Sequence, residues 1–272
     1  MKTRPNSLVL VHGAGSGPWV YEGWRDCFPE VTVLAIDLQA GLEVATASHA
    51  DYAQIVVEAA ATLPAPVVLC GWSMGGLVVL QAAERVRPHS VVLLEASPPA
   101  EVQGFNPDTD VAYGVFDPEV VYGTFPPGMR ARPESTRARA ERKRGISIPT
   151  LPCPSLVIYG DAFREERGKA IARLYSSDEF DFPGLDHWAL VREPRVRMTV
   201  GTGSASPPRP DEVQITLTKT VRSRGPSNSH KNTACRSPSA SLPSTSGIVS
   251  EEAISAARTC DHGLRSPSCT CS

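Results

Sequence analysis

The sequence predicts an α/β fold: a mostly parallel sheet with helices on both faces, a helical lid inserted at about 97–150, and a low-complexity tail. Three observations predict it. Short runs rich in Val, Leu and Ile recur at 7–11, 31–36, 67–70, 90–94 and 155–159, with a weaker one at 179–182, and runs of this length that are apolar on both faces read as buried parallel strands. Stretches with helical spacing alternate with those runs, the order that builds a parallel sheet. All 7 Phe, 4 Trp and 6 Tyr fall at or before Trp188, so the chain divides into two unlike materials.

Taken in order, the strand at 7–11 is followed by a glycine-rich turn and the run at 31–36. The stretch 50–63 carries Ile55, Val56, Ala59 and Ala60 and ends before Pro64, a helix with a stop signal. The strand at 67–70 leads through another glycine-rich turn into a helix over 77–86, then the strand at 90–94. About 60 residues follow before the next strand. They hold ten prolines, helical candidates at 117–122 and 134–143, and a basic stretch from Arg130 to Arg144. A connection of this length is usually functional, often a lid. The basic stretch reads either as a solvated helix face or as a surface that recognises an anionic substrate group. After the strand at 155–159 come a helix over 164–175, the weak strand, and a helical start at 188–198.

From about 199 the periodicity dissolves. Residues 201–272 hold 15 Ser and 4 of the 7 Cys, and a segment without aromatics has little to bury against its ordering entropy. The domain is therefore expected over 1–198, and 199–272 is expected to be disordered or non-native, the product of a shifted reading frame. Only 213–217 alternates like a strand, and 250–257 has the length of two helical turns. Cys260, His262, Cys269 and Cys271 match no common zinc spacing.

Acids number 29 against 27 bases, a formal charge of −2. That balance argues against a nucleic-acid or anionic-membrane partner. No run approaches a spanning helix, and Leu8 to Val11 is too short for a secretory core. Cys27, Cys70 and Cys153 read as buried, reduced thiols. A cytoplasmic protein is the expectation.

The chemistry concentrates in Gly71-Trp72-Ser73-Met74-Gly75-Gly76, between a strand and a helix. GxSxG in that context is a nucleophile elbow, which sets Ser73 on a strained turn at a helix N-terminus where developing negative charge is favoured. His12-Gly13-Ala14-Gly15-Ser16-Gly17, after the first strand, lacks both the Lys-Ser/Thr ending of a phosphate loop and the GxGxxG spacing. It reads instead as an oxyanion loop, with the Ala14 N–H paired with that of Met74. Among the histidines, His12 reads as structural, His49 and His89 sit at element approaches, and His230 and His262 lie in the tail. His187, after the last strand, is the candidate base.

On these motifs residues 7 to about 196 resemble the α/β-hydrolase superfamily, in its small esterase or lipase-like branch. The resemblance implies the order serine, acid, histidine, an acyl-enzyme on Ser73, His187 as base, and no metal or organic cofactor. It also implies a sheet lacking the first antiparallel hairpin. For the acid the family usually has Gly-x-x-Asp after the strand at 155–159; here Gly160-Asp161-Ala162-Phe163 puts Phe at that offset. Asp161 is the expected acid, Glu95 the alternative, and Glu165 or Glu166 follow. Trp19, Trp72 and Trp188 line an acyl pocket or pack the core. The expected function is a serine hydrolase acting on a small-molecule ester, thioester or amide. The competing readings are a hydroxynitrile lyase or cofactor-free haloperoxidase on the same scaffold, and a non-catalytic or misfolded homologue.

Overall fold

A computed structural model of the chain describes residues 4–202. Its strands are β1 (Ser7–Val11), β2 (Thr32–Ile36), β3 (Val67–Trp72), β4 (Ser90–Leu94), β5 (Val115–Phe116), β6 (Glu134–Ser135), β7 (Ser155–Tyr159) and β8 (Asp178–Asp181). Six of them form one parallel sheet in the order β2-β1-β3-β4-β7-β8, and β5 and β6 pair antiparallel within the long connection between β4 and β7, the segment expected as a lid. The helices are α1 (His49–Ala61), α2 (Met74–Val86), α3 (Ala100–Gln103), α4 (Pro118–Tyr122), α5 (Thr136–Arg144), α6 (Ala170–Tyr175), α7 (His187–Arg192) and α8 (Pro194–Thr202). Among the described residues no helix is long and apolar enough to cross a membrane.

Strand alternation sorts the core into two layers. Val9, Val11, Leu69, Val91, Leu93 and Val157 face α1, α2 and α6, where they meet Tyr52, Val56, Leu77, Leu80 and Ile171. Leu8, Leu10, Cys70, Trp72, Leu94 and Ile158 face the other way, onto Tyr21, Trp24 and Phe28 of the 18–28 segment and onto Leu190, Val191, Val196 and Val200 of α7 and α8. Because both faces are covered, β1 and β3 are buried along their whole length. The chain leaves β1 for β2 on one side and returns to β3 on the other. The carboxyl ends of β1 and β3 therefore flank a topological switch point, where open α/β sheets bind their ligands.

Local chemistry explains the element boundaries. Helix α1 starts at His49 because Ser48 and Asp51 form a capping box, each side chain bonding the other's backbone N–H. The helix expected at 164–175 opens instead as a π-helical turn, Arg164–Lys169, that runs into α6. The run expected as one helix from 188 is two, because Pro194 forces Glu193 into extended backbone at φ −67° and ψ 122°. Helix α8 continues beyond the boundary expected at 198, with Thr199 and Val200 buried. The readings made at 213–217, at 250–257 and at Cys260, His262, Cys269 and Cys271 lie outside the described residues.

The closing helices are held by specific contacts. Trp24 Nε1 donates to the Val191 carbonyl at 2.9 Å, and Val196, on α8, is fully buried against the sheet. Removing its two methyl groups leaves a void, so Val196→Ala is expected to cost about 2 kcal/mol. Val120→Ala, at a residue 84% exposed, is expected to stay within about 0.5 kcal/mol of wild type. Urea unfolding of both variants checks this; equal midpoints would contradict the docking of α8.

Candidate active site

Strand β3 ends in Trp72, and Ser73 turns the chain into α2 at φ 55° and ψ −123°. That strained conformation is held from three sides. Ser73 N–H donates to the Leu94 carbonyl at 3.0 Å, and its carbonyl accepts from Gly76 at 3.0 Å and Ser97 at 2.8 Å. The elbow is possible because Gly75 lies against the carbonyl oxygens of Val11 and His12, where a Cβ would collide. As the first residue of α2, Met74 has no intrahelical acceptor for its N–H. Among the described residues the Ser73 hydroxyl makes no hydrogen bond, so its rotor is free to turn.

The loop after β1 packs directly against this turn. A Cβ on Gly13 would stand 2.9 Å from the Ser73 Cβ and from the Trp72 ring. Buried His12 fixes the loop: its Nε2 accepts from the Leu38 N–H at 3.1 Å, which leaves Nδ1 to donate to the Gly13 carbonyl at 2.9 Å. Ser16 Oγ donates to the same carbonyl at 2.8 Å. Ala14 thus sits in a braced loop beside Ser73.

His187 and Glu95 meet at the end of β4. Glu95 is wholly buried with φ 39°; its Oε1 accepts from the Gly160 N–H at 2.8 Å and its Oε2 from His187 Nδ1 at 2.6 Å. Trp72 Nε1 holds the other end of the histidine by donating to its carbonyl at 3.1 Å. The imidazole lies 4.8 Å from the Trp72 ring and meets Phe163 edge-on at 5.2 Å. Burial pushes the His187 pKa below 6.5, opposed by Glu95, which favours the charged form. Nε2 has no partner among the described residues and is available for proton exchange.

Asp161 is not in this cluster. Its side chain is 55% exposed, with Oδ1 on Arg164 at 2.6 Å and Oδ2 accepting from the Gly184 N–H at 2.7 Å. Those partners hold its pKa below the usual carboxylate range. The reason is one residue of geometry. Gly160 points its N–H at Glu95, while Asp161, bonded through its own N–H to the Leu185 carbonyl at 2.9 Å, turns outward. Phe163, at the offset where an acid would stand, covers the imidazole edge. Glu165 pairs with Lys169 at 2.6 Å, and Glu166 is exposed.

The three tryptophans also separate. Trp72 lies 4.8 Å from Trp188, which in turn lies 4.9 Å from Phe125 of the lid. Trp19 lines a cavity of about 630 Å³ between the 18–23 turn, the 127–130 segment, Arg192 and Arg197, away from Ser73, Glu95 and His187.

A model of the alpha/beta hydrolase family matches residues 8–219. The chain belongs to this family. A pimeloyl-acyl-carrier-protein methyl ester esterase from Aromatoleum aromaticum is 36% identical over 101 residues, 35% of this chain. The match spans 38% of that relative's length. Polyneuridine aldehyde esterase shares the fold at TM-score 0.51 and 19% identity, over 74% of this chain and 99% of its own. RedJ, a thioesterase of the prodiginine pathway in Streptomyces coelicolor, does so at TM-score 0.54 and 21% identity, over 74% and 91%.

In this alpha/beta hydrolase the lid is strapped to the loop beside Ser73. Arg132 N–H donates to the Gly15 carbonyl at 2.8 Å, and its guanidinium pairs with Asp37, just beyond β2, at 2.8 Å. Part of the basic stretch is therefore neutralised: Arg132 by Asp37, and Arg137 by Glu141 at 2.9 Å. Arg132 carries no sequence motif of its own, and Phe163 was legible only as a residue at the offset of the usual acid; Glu95 was legible as a charge ending an apolar strand. Because Glu95 raises the His187 pKa against burial, Glu95→Gln is expected to lower it further. An NMR titration of the imidazole checks the sign, and a raised midpoint would contradict the contact.

Proposed function

We propose that the protein is a serine hydrolase that cleaves a small carboxylic ester or thioester through an acyl-enzyme on Ser73, with His187 as base and Glu95 as acid. The observation that carries this reading is the 2.6 Å bond from buried Glu95 to His187 Nδ1. It fixes the tautomer in which Nε2 is the proton acceptor, the arrangement a serine nucleophile requires. The Ser73 hydroxyl attacks the carbonyl carbon, His187 Nε2 takes the hydroxyl proton, and the imidazolium formed is stabilised by the Glu95 carboxylate. His187 then returns the proton to the leaving alcohol or thiol. Water repeats the sequence on the acyl-enzyme and releases the acid.

The Ala14 and Met74 N–H groups are the donors we assign to the oxyanion. A braced loop and a helix N-terminus cost no reorganisation as charge develops, and one such donor contributes about 3 kcal/mol to the transition state. No cofactor enters any of these steps. Ester and thioester substrates are favoured over amides because the similar proteins are an esterase acting on a methyl ester, an aldehyde esterase and a thioesterase. Cys27, Cys70 and Cys153 are free thiols, of which only Cys70 is buried as expected while Cys27 is exposed and Cys153 half-buried; unpaired thiols support a cytoplasmic location.

A fluorophosphonate probe is expected to label the wild type and not Ser73→Ala. With a 4-nitrophenyl ester, Glu95→Gln is expected to lose about 10³- to 10⁴-fold in kcat, whereas Asp161→Asn stays within a few-fold. The rate depends on neutral His187, whose pKa burial lowers. The kcat/KM is therefore expected to be full above pH 6.5 and to fall on the acid side with a midpoint below it. Cyanohydrin cleavage without ester turnover, or soluble protein that takes no label, would overturn the proposal.

A further inference from the structure

Each glycine of the loop after β1 is bare for a different reason. Gly13 lies against Ser73 and the Trp72 ring. Gly15 holds φ 65°, and a Cβ on it would collide with Pro118, the first residue of α4, and stand 3.1 Å from the Phe125 ring. A Cβ on Gly17 would stand 3.1 Å from Arg132 Nη1. The loop is therefore gripped by the nucleophile turn at one end and by the connection between β4 and β7 at the other. Ala14 lies between the two grips. Among the described residues its N–H and carbonyl make no hydrogen bond, so the direction of that N–H is inherited from Gly13 and Gly15.

Arg132 is the residue of the connection that spans this loop. Its N–H bonds the Gly15 carbonyl at 2.8 Å, its guanidinium passes Gly17, and Nη1 ends on Asp37 Oδ1 at 2.8 Å. With side-chain exposures of 29% and 34%, the pair is screened less than a surface bridge. Asp37 is itself fixed, because the same oxygen accepts from the Gln39 N–H at 3.0 Å, and Gln39 Nε2 donates to the Pro133 carbonyl at 2.8 Å. His12, the other brace of the loop, accepts from Leu38, the residue after Asp37. One short stretch after β2 thus anchors the loop twice, through His12 and through Arg132.

We propose that Arg132, anchored by Asp37, is a positioning residue for the Ala14 N–H, so that the β4–β7 connection holds the oxyanion donor in register with Ser73 as well as covering the site. A donor displaced by a fraction of an ångström loses much of its worth, because the charge it serves develops at one point. The proposal deepens the serine-hydrolase reading and rests on it for the role of Ala14.

The test measures 4-nitrophenyl acetate hydrolysis per site titrated with a fluorophosphonate, which removes unfolded protein from the comparison, and amide hydrogen exchange over 13–17 by mass spectrometry. Arg132→Gln keeps the backbone bond to Gly15 and loses the ion pair. Its kcat is expected to fall about tenfold with KM within about twofold of wild type, and exchange over 13–17 to quicken while that of α2 stays unchanged. Arg132→Lys, which keeps the charge opposite Asp37, is expected to recover part of kcat. Asp37→Asn is expected to lose as much as Arg132→Gln, and the double variant no more than either, because the two side chains act as a unit. A kcat that Arg132→Gln leaves intact while KM changes would make the connection a cover only and overturn the proposal. So would losses at Arg132 and Asp37 that multiply, or exchange over 13–17 that does not respond. Quickened exchange in Arg132→Gln, with a wild type that takes no probe and turns over no ester, would support the strap on the loop and reject the hydrolase reading instead.

Discussion

A carboxylate with no exposure at the end of an apolar strand sets the terms for the rest of this site. Glu95 follows β4 directly, where solvent cannot stabilise its charge. Protein groups do so: the Gly160 N–H takes one oxygen and His187 Nδ1 the other. Burial of an unpaired carboxylate would cost several kcal/mol, a large part of a domain's net stability. The strand ends are registered by the same chemistry. Glu95 N–H donates to the Ile158 carbonyl, and the preceding Leu94 carbonyl holds Ser73. The Ser73 turn and the carboxylate are thus fixed by backbone bonds among three neighbouring strands, and the imidazole is held to them through Glu95 and the Trp72 indole.

The fold was legible because its signals are local. Apolar runs that must be buried on both faces can only be interior strands, and the GxSxG turn works only where Gly71 lets α2 approach β3 and Gly75 lets it approach β1. The position of the acid was less legible. Asp161 and Glu95 both end strands at the same edge of the sheet, and no local pattern says which one turns inward. That depends on Gly160 giving its N–H to the neighbouring strand and on the Asp161 N–H going to Leu185, two long-range bonds. The split between α7 and α8 was readable from Pro194, whereas the π-helical turn at Arg164–Lys169 depends on how Gly168 packs on the Tyr159 ring.

The lid shows how one composition serves two purposes. The basic stretch looks uniform along the chain, but the fold partitions it. Arg132 and Arg137 are spent on ion pairs that tie the lid to Asp37 and stiffen α5. Arg142 shares the buried face of α5 with Ala138, four residues earlier, and so is carried inward. Helical phase decides which arginines meet water and which turn inward.

The histidine stands at the first position of α7, and α7 is held by the Trp24 bond to Val191 and by α8, whose Val196 and Val200 pack into the same core. The imidazole therefore arrives late in synthesis, 114 residues after Ser73 along the chain, and reaches Glu95 only once those helices have docked. A growing polypeptide on the ribosome exposes its serine turn long before it owns a base. On the roles proposed for Ser73 and His187, chemical competence waits until α7 and α8 dock, and copies that end before them lack the base.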